Sequence, residues 1–144
     1  MSEVLVTSLT NLQNEVRYGT NHTFVTDEPT GVGGDDAGPD PYTLMLAALG
    51  SCISMTAKLY AKRKGWPLDR VVVRLRLDRV HAADCEECTH TSEGYAHRIQ
   101  RSVDFEGDLT EEQHLRLQEI AHKCPVHRVL ASEIVISELK AKET

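Results

Sequence analysis

The feature that most constrains the fold of this chain is the stretch "PYTLMLAALGSCISMTAKLYAKRKG", residues 41–65. It begins with a proline, contains good helix formers, and ends with basic residues and a glycine that stops a helix. We predict one helix over residues 41–64, about 36 Å long by the rise of an α-helix. Its first half is apolar on nearly every side, which is typical of a helix buried at the centre of a domain.

The segments on either side of this helix predict a mixed α+β fold in a single domain. Short runs with β-branched residues indicate strands, and stretches with helical spacing indicate further helices. The predicted elements are strands within residues 3–26, a Gly/Pro/Asp-rich loop over 27–41, strands over 71–80 and 96–105, a helix over 110–123, and a helical turn followed by a strand over 125–139. We therefore expect an antiparallel sheet packed on the long central helix.

One position on the predicted strands departs from the apolar pattern. Ile99, Val103 and Phe105 lie two or four residues apart and share one face of their strand. Arg101 shares that face. The strand therefore directs a cation towards the side that its neighbours bury.

Charge and composition narrow the classes of function. The chain has 144 residues, 40% of them hydrophobic, and a net charge of −6, which argues against a nucleic-acid or anionic-membrane surface. The N-terminus lacks the pattern of a signal peptide, and the apolar run over residues 44–55 is shorter than a bilayer span. We expect a cytoplasmic protein without a membrane segment. In that reducing compartment its four cysteines are expected to bind metal or to be redox-active.

Two of the cysteines occupy positions that folding could bring together. In "AHKCPVHRVL", Cys124 precedes a proline, so it should lie at the boundary between two helices, at or next to an N-cap. Cys52 lies midway along the central helix, beside the small residues Gly50 and Ser51, which suggest a close approach by another element. The two thiols could form a transient disulfide, or each could be a small core residue.

The other two cysteines form a C-x-x-C pair in an acidic loop. Cys85 and Cys88 lie between His81 and His90, a set that could supply zinc ligands. The pair could instead be redox-active, or the loop could be an ordinary solvated hairpin without a chemical role. The sequence leaves these three interpretations open.

The segments "GPDPYTLMLAALGSC" and "AHKCPVHRVL" together resemble the OsmC/Ohr family, the osmotically induced and organic-hydroperoxide-resistance proteins. The resemblance implies an intertwined homodimer whose subunits have N-terminal strands, a long central helix and a second sheet. It also implies that Cys52 attacks an organic hydroperoxide as a thiolate and that Cys124 resolves the resulting sulfenic acid as a disulfide. An external dithiol, lipoyl-type in some members, would then regenerate the enzyme, and no cofactor is required.

The resemblance also implies further site residues. Arg17 is the candidate for the N-terminal arginine that stabilises the thiolate in peroxide-active members. Those members carry a glutamate directly after the proline that opens the helix, where this chain has Tyr42, and either Tyr42 or Glu28 is a candidate support. The substrate pocket is expected to include Tyr42, Met45, Leu49 and Met55. The missing glutamate motivates an alternative, a redox-sensing or ligand-binding dimer with little peroxidase turnover, which could bind zinc through the Cys85/Cys88 loop.

Overall fold

The structure is a computed structural model that describes residues 3–89 and 93–140. Contacts within the chain divide it into two compact units, residues 1–47 and 48–144. The long helix begins in the first unit and continues in the second. The single domain of the sequence analysis stays a prediction, and the candidate thiols all belong to the second unit.

The first unit contains a three-stranded antiparallel sheet. Its strands are β1 (Val4–Ser8), β2 (Asn14–Tyr18) and β3 (His22–Thr26), in the order β1-β2-β3. The tight turns between them contain Asn11 and Gly19, whose φ angles of 56° and 60° lie in the left-handed region that these residue types tolerate. The structure agrees with the predicted strands within residues 3–26.

The Gly/Pro/Asp-rich loop is organised by a buried carboxylate. The side chain of Asp27 is 1% exposed and accepts hydrogen bonds from the backbone N–H groups of Glu28, Asp35 and Ala37 at 2.8, 3.1 and 3.0 Å. These hydrogen bonds satisfy the buried carboxylate, because each N–H points at its oxygens. The loop therefore has a defined path although it lacks an apolar pattern.

The central helix, α1 (Pro41–Lys64), has the predicted bounds. Its buried residues in the second unit, Leu49, Ile53, Ala57 and Ala61, recur every four positions along one face of the helix. On other faces of its second half the helix is open to solvent in the single chain, since Met55 and Leu59 are 64% and 55% exposed. A single two-stranded sheet covers only one side of a helix.

The glycine in α1 marks a close contact with the second sheet, as its small size suggested. A Cβ atom on Gly50 would lie 2.8 Å from Cδ1 of Leu75, a distance well inside van der Waals contact. By length and composition α1 could also cross a bilayer, but the core helix of a globular protein meets the same criteria. The buried face of α1 packs in the hydrophobic core together with Leu68, Phe105 and Leu117.

The second sheet is a long antiparallel hairpin of β4 (Leu68–His81) and β5 (Tyr95–Gly107). Both strands extend beyond the predicted 71–80 and 96–105. In the register of this pair Leu75 lies opposite Arg101. The bounds of the elements after the hairpin are Glu111–Ala121 for α2 and Pro125–Leu130 for α3.

Helix α2 is fixed at its start and along its side. Thr110 is its N-cap and forms a reciprocal capping box with Gln113, which satisfies two backbone donors of the first turn. The Gln118 amide donates to the Val103 carbonyl of β5 at 2.9 Å. These contacts hold α2 against the hairpin and thereby place the segment around Cys124.

The predicted strand near the C-terminus does not form in the single chain. Residues 133–140 have no regular secondary structure, and Ile136 and Leu139 are 93% and 90% exposed. A strand needs a neighbouring strand for its backbone hydrogen bonds, and sequence alternation does not supply one. The helical turn predicted just before this segment is present as α3.

Candidate active site

The fold brings the two free thiols together. Cys124 is fully buried in the hydrophobic core of the second unit, and the half-buried Cys52 of α1 packs against that core. The Cys52 side chain is close enough to Cys124 to contribute to a raised pKa of the Cys124 thiol. The predicted meeting of these thiols is therefore observed, and their catalytic roles remain predictions.

Cys124 occupies the helix boundary that the following proline predicts. It is the N-cap of α3, with Pro125 at the start of the helix, and its sulfur accepts a hydrogen bond from the His127 N–H at 3.3 Å. Burial is the main cause that raises the pKa of Cys124, and Cys52 raises it further, while the His127 N–H lowers it. Cys124 is consequently held as a neutral thiol near pH 7.

A cation lies beside this pair of thiols. Arg101 is half-buried on β5, where its Nη1 donates to the Ala121 carbonyl at 3.1 Å and its Nη2 contacts Nδ1 of His122. Burial lowers the pKa of Arg101, and the negative charge of a Cys124 thiolate raises it. Because a guanidinium stays protonated despite such a shift, Arg101 provides a fixed positive charge close to Cys124.

A cavity of about 220 Å³ adjoins Arg101 and His127. Leu49, one helical turn before Cys52, belongs to its wall. The cavity is lined by Leu49, His97, Ile99, Arg101, His127, Leu130 and Ala131. A mainly apolar cavity with one cation suits a small molecule that has an apolar body and one polar end.

Other predicted site residues are not part of this cavity. Arg17 is an exposed residue of β2 and pairs with Glu15 at 2.8 Å within its own sheet. Tyr42 and Met55 are 63% and 64% exposed, and Met45 is half-buried in the first unit. Their roles, like that of Glu28, stay predictions.

The C-x-x-C cysteines are joined to each other. Cys85 and Cys88 form a disulfide with a Cα–Cα distance of 5.5 Å, and a disulfide sulfur is not a thiolate ligand for zinc. Nδ1 of His81 accepts from the Ala83 N–H at 3.2 Å, and His90 lies outside the described residues. Within residues 3–89 and 93–140, no three His, Cys, Asp or Glu side chains are grouped as metal ligands. A zinc site stays a prediction for the reduced turn.

Arg101 is the site residue whose role sequence reasoning missed. The alternation on β5 already put it on the apolar face, and an unpaired cation on such a face is the signal that could have identified it. The thiol that it would meet could not be deduced, because Cys124 belongs to a different element. The docking of α2 on β5 brings the two together.

His127 predicts how stability depends on pH. Burial and the nearby charges of Arg101 and His122 lower the pKa of His127 below its usual 6.5. A histidine whose pKa is lower in the folded protein than in the unfolded chain stabilises the folded state at pH values above its unfolded-state pKa. This stabilisation is lost as the pH falls through its folded-state pKa. We expect the free energy of unfolding of the wild type, measured by urea titration, to decrease as the pH is lowered from 8 to about 5. The decrease should be less steep for the His127→Asn variant. Equal slopes for both proteins would contradict this prediction.

A comparison with protein-family models gives a match to the description "OsmC-like protein" over residues 33–138. A comparison with curated proteins finds no match. The matched region includes α1 with Cys52 and the segment around Cys124. It therefore contains both thiols of the candidate site.

Solved structures with the same fold include proteins from several bacteria. A putative osmotic stress induced and detoxification response protein from Psychrobacter arcticus has a TM-score of 0.69 at 18% identity, covering 90% of this chain and 88% of the other. An organic hydroperoxide resistance protein from Legionella pneumophila has a TM-score of 0.63 at 16% identity, with coverage of 91% and 89%. An organic hydroperoxide resistance protein from Bacillus subtilis has a TM-score of 0.59 at 16% identity, covering 91% of this chain and 90% of the other. At these identities the likeness establishes the shared fold.

Proposed function

The chain belongs to the OsmC-like protein family, and we propose that it is a thiol-dependent peroxidase that reduces organic hydroperoxides to alcohols. The single observation that carries the proposal is the neighbouring pair of free thiols, Cys52 and Cys124, contributed by separate elements close to the half-buried Arg101. Structural relatives described as organic hydroperoxide resistance proteins support the choice of substrate class.

The different surroundings of the two thiols support different proposed roles for them. Cys52 is the more exposed of the two thiols, whereas Cys124 is fully buried and kept protonated by its surroundings. A neutral thiol is a poor nucleophile towards peroxide. Cys52 is therefore the attacking residue and Cys124 the resolving residue.

The reaction proceeds in two balanced steps. The Cys52 thiolate attacks the terminal oxygen of the hydroperoxide, the O–O bond breaks, and the alkoxide takes a proton to leave as the alcohol. Cys52 is then a sulfenic acid. The Cys124 sulfur attacks the Cys52 sulfur, hydroxide leaves with the Cys124 proton as water, and a disulfide forms. An external dithiol, lipoyl-type or other, returns the two electrons by thiol–disulfide exchange.

Arg101 supplies the electrostatic part of this mechanism. A fixed guanidinium beside the sulfurs stabilises negative charge on the thiolate and on the departing alkoxide. The apolar residues Leu49, Ile99 and Leu130 of the adjoining cavity suit the organic part of the substrate. An apolar cavity next to a cation favours organic hydroperoxides over hydrogen peroxide, because hydrogen peroxide has no apolar group to bury.

Mixing the fully reduced protein with cumene hydroperoxide tests the proposal. We expect stoichiometric formation of the cumyl alcohol and, in mass spectra of digested protein, a disulfide that links the Cys52 and Cys124 peptides. Hydrogen peroxide should react more slowly at the same concentration. Intact peroxide, with both thiols still reduced, would contradict the assignment.

A second candidate is a redox-sensing dimer with little turnover, favoured by Tyr42 at the position of the glutamate in peroxide-active members. Such a protein would form the Cys52–Cys124 disulfide once and then remain oxidised. Multiple turnovers with dihydrolipoamide as the reductant support the enzyme, whereas a single turnover supports the sensor.

We also propose a homodimer, located in the cytoplasm. The single chain leaves apolar side chains exposed on α1 and in the C-terminal segment, where Ile136 is 93% exposed. A partner chain would cover this surface and could pair with the segment as a strand. Ile136→Asp should shift the protein from dimer to monomer in light scattering coupled to size-exclusion chromatography. Ser137→Asp adds the same charge at a neighbouring exposed position and should leave the dimer intact. A monomeric wild type would contradict this proposal.

A further inference from the structure

We propose that Cys85 and Cys88 form a second redox centre that passes electrons to the Cys52–Cys124 pair, a role that rests on the proposed peroxidase function. The observation that carries this inference is an open cavity of about 860 Å³ lined by Cys85, Cys88 and Arg101. It connects the C-x-x-C turn with the neighbourhood of the candidate active site.

The C-x-x-C pair is accessible to a reductant from solvent. It lies in the connection between β4 and β5, directly after a short 3-10 helix over Ala82–Asp84. Cys85 and Cys88 are half-buried, and Glu86 and Glu87 between them are exposed. An external dithiol can therefore approach these sulfurs, whereas Cys124 is fully enclosed.

This disulfide contributes little as a structural cross-link. Its cysteines are three positions apart, and the chain entropy that a disulfide removes from the unfolded state falls as the closed loop shortens. The strands on either side are already paired from Leu68 to Gly107 by their own backbone hydrogen bonds. In a reducing compartment, a disulfide of this kind is characteristic of a redox-active pair.

The two cavities share part of their walls. The cavity at the C-x-x-C turn and the smaller one at the candidate active site have five lining residues in common, His97, Ile99, Arg101, Leu130 and Ala131. Together they form a groove along β5 that begins at the disulfide and reaches Arg101. The charge of Glu87 in the turn also contributes to a raised pKa of Arg98 on β5.

The C-x-x-C pair is proposed to donate two electrons to the Cys52–Cys124 disulfide by thiol–disulfide exchange. In the transfer, one C-x-x-C thiolate attacks the Cys52–Cys124 disulfide and forms a mixed disulfide, releasing one thiolate of that pair. The second C-x-x-C thiol then attacks the mixed disulfide, so that two electrons move and the Cys85–Cys88 bond forms.

Two further requirements complete the cycle. Sulfur must contact sulfur for exchange, so Cys85 and Cys88 have to approach the Cys52–Cys124 pair by way of the groove that reaches Arg101. The external dithiol then reduces the Cys85–Cys88 bond and is itself oxidised to a disulfide. The C-x-x-C turn thus serves as a second entry point for electrons, in addition to the half-buried Cys52.

The stoichiometry of peroxide consumption without external reductant tests the proposal. Fully reduced wild-type protein, freed of reductant under anaerobic conditions, should consume about two molar equivalents of cumene hydroperoxide per chain and end with both disulfides. The Cys85→Ser/Cys88→Ser variant should consume about one equivalent, because only the Cys52–Cys124 pair is left. In Cys52→Ser, the C-x-x-C thiols should remain reduced over the same time.

Each alternative outcome has a separate meaning. If the wild type consumes only about one equivalent and keeps the C-x-x-C thiols, the relay is wrong and the peroxidase function stands. Rapid formation of the Cys85–Cys88 bond in Cys52→Ser would show direct oxidation and would also overturn the relay. No consumption by folded Cys85→Ser/Cys88→Ser protein would instead contradict the peroxidase function itself.

Discussion

Replacing Cys52 with serine should abolish hydroperoxide consumption. The serine hydroxyl is not ionised near neutral pH, so the variant lacks the nucleophile while keeping nearly the same volume at this half-buried position of α1. We expect the rate with cumene hydroperoxide to fall roughly 10³-fold or more, to the uncatalysed background. The measurement is peroxide loss after stopped-flow mixing with reduced protein.

The matched control is serine at the other thiol. Cys124→Ser retains Cys52, so its first turnover should proceed at a rate close to that of the wild type and stop at the sulfenic acid, which dimedone would trap on Cys52. Multiple turnovers with dihydrolipoamide should decrease strongly in this variant. If Cys52→Ser and Cys124→Ser both consumed peroxide like the wild type, neither thiol would be catalytic. If instead Cys124→Ser lost peroxide consumption and Cys52→Ser stopped at a sulfenic acid, the roles of the two thiols would be reversed.

Local signals in the sequence determined much of the fold. Proline at the start and glycine after the end of α1 gave bounds that the structure reproduces, and the proline after Cys124 correctly indicated an N-cap. The C-terminal strand was predicted from the run "EIVISEL", yet residues 133–140 have no strand partner in the part of the chain that the structure describes. Alternation reports which side chains could share a face, but not whether a neighbouring strand is present.

The candidate site was predictable to the extent that it depends on single elements. Inward-facing cysteines on two helices suggested that Cys52 and Cys124 meet, because both helices bury a face in one core. The position of Arg101 beside Cys124 depends on how α2 docks against β5, through contacts such as that between Gln118 and Val103. No periodic pattern encodes that docking.

The C-x-x-C turn shows a different limit of sequence reasoning. A pair of cysteines with this spacing suits zinc, a disulfide or no chemistry at all, and the sequence left these choices open. The structure pairs Cys85 with Cys88 and places them on a cavity that also includes Arg101. Both facts depend on how the ends of β4 and β5 are arranged, and a short sequence motif does not encode that arrangement.

Replacing Arg101 with methionine should slow the first turnover by about 100-fold, because the transition state loses the fixed charge beside the sulfur and the departing oxygen. Methionine retains an unbranched apolar stem, so the half-buried position stays filled. The rate should recover as pH rises, with its midpoint shifted upward from that of the wild type. A purely structural role for Arg101 would lower stability without moving this midpoint.

Two further arginine variants locate the essential cation. Arg98→Met alters the same strand three residues earlier, where the arginine is paired with Asp78 at 2.8 Å, and it should leave the rate nearly unchanged. Arg17→Met tests the arginine that the family resemblance nominates. Loss of activity in Arg17→Met alone would assign the thiolate-stabilising charge to Arg17, and loss in Arg101→Met alone would assign it to β5. Comparable losses of activity in Arg17→Met and Arg101→Met would mean that both charges act on the reaction, because each substitution removes an interaction that the transition state needs.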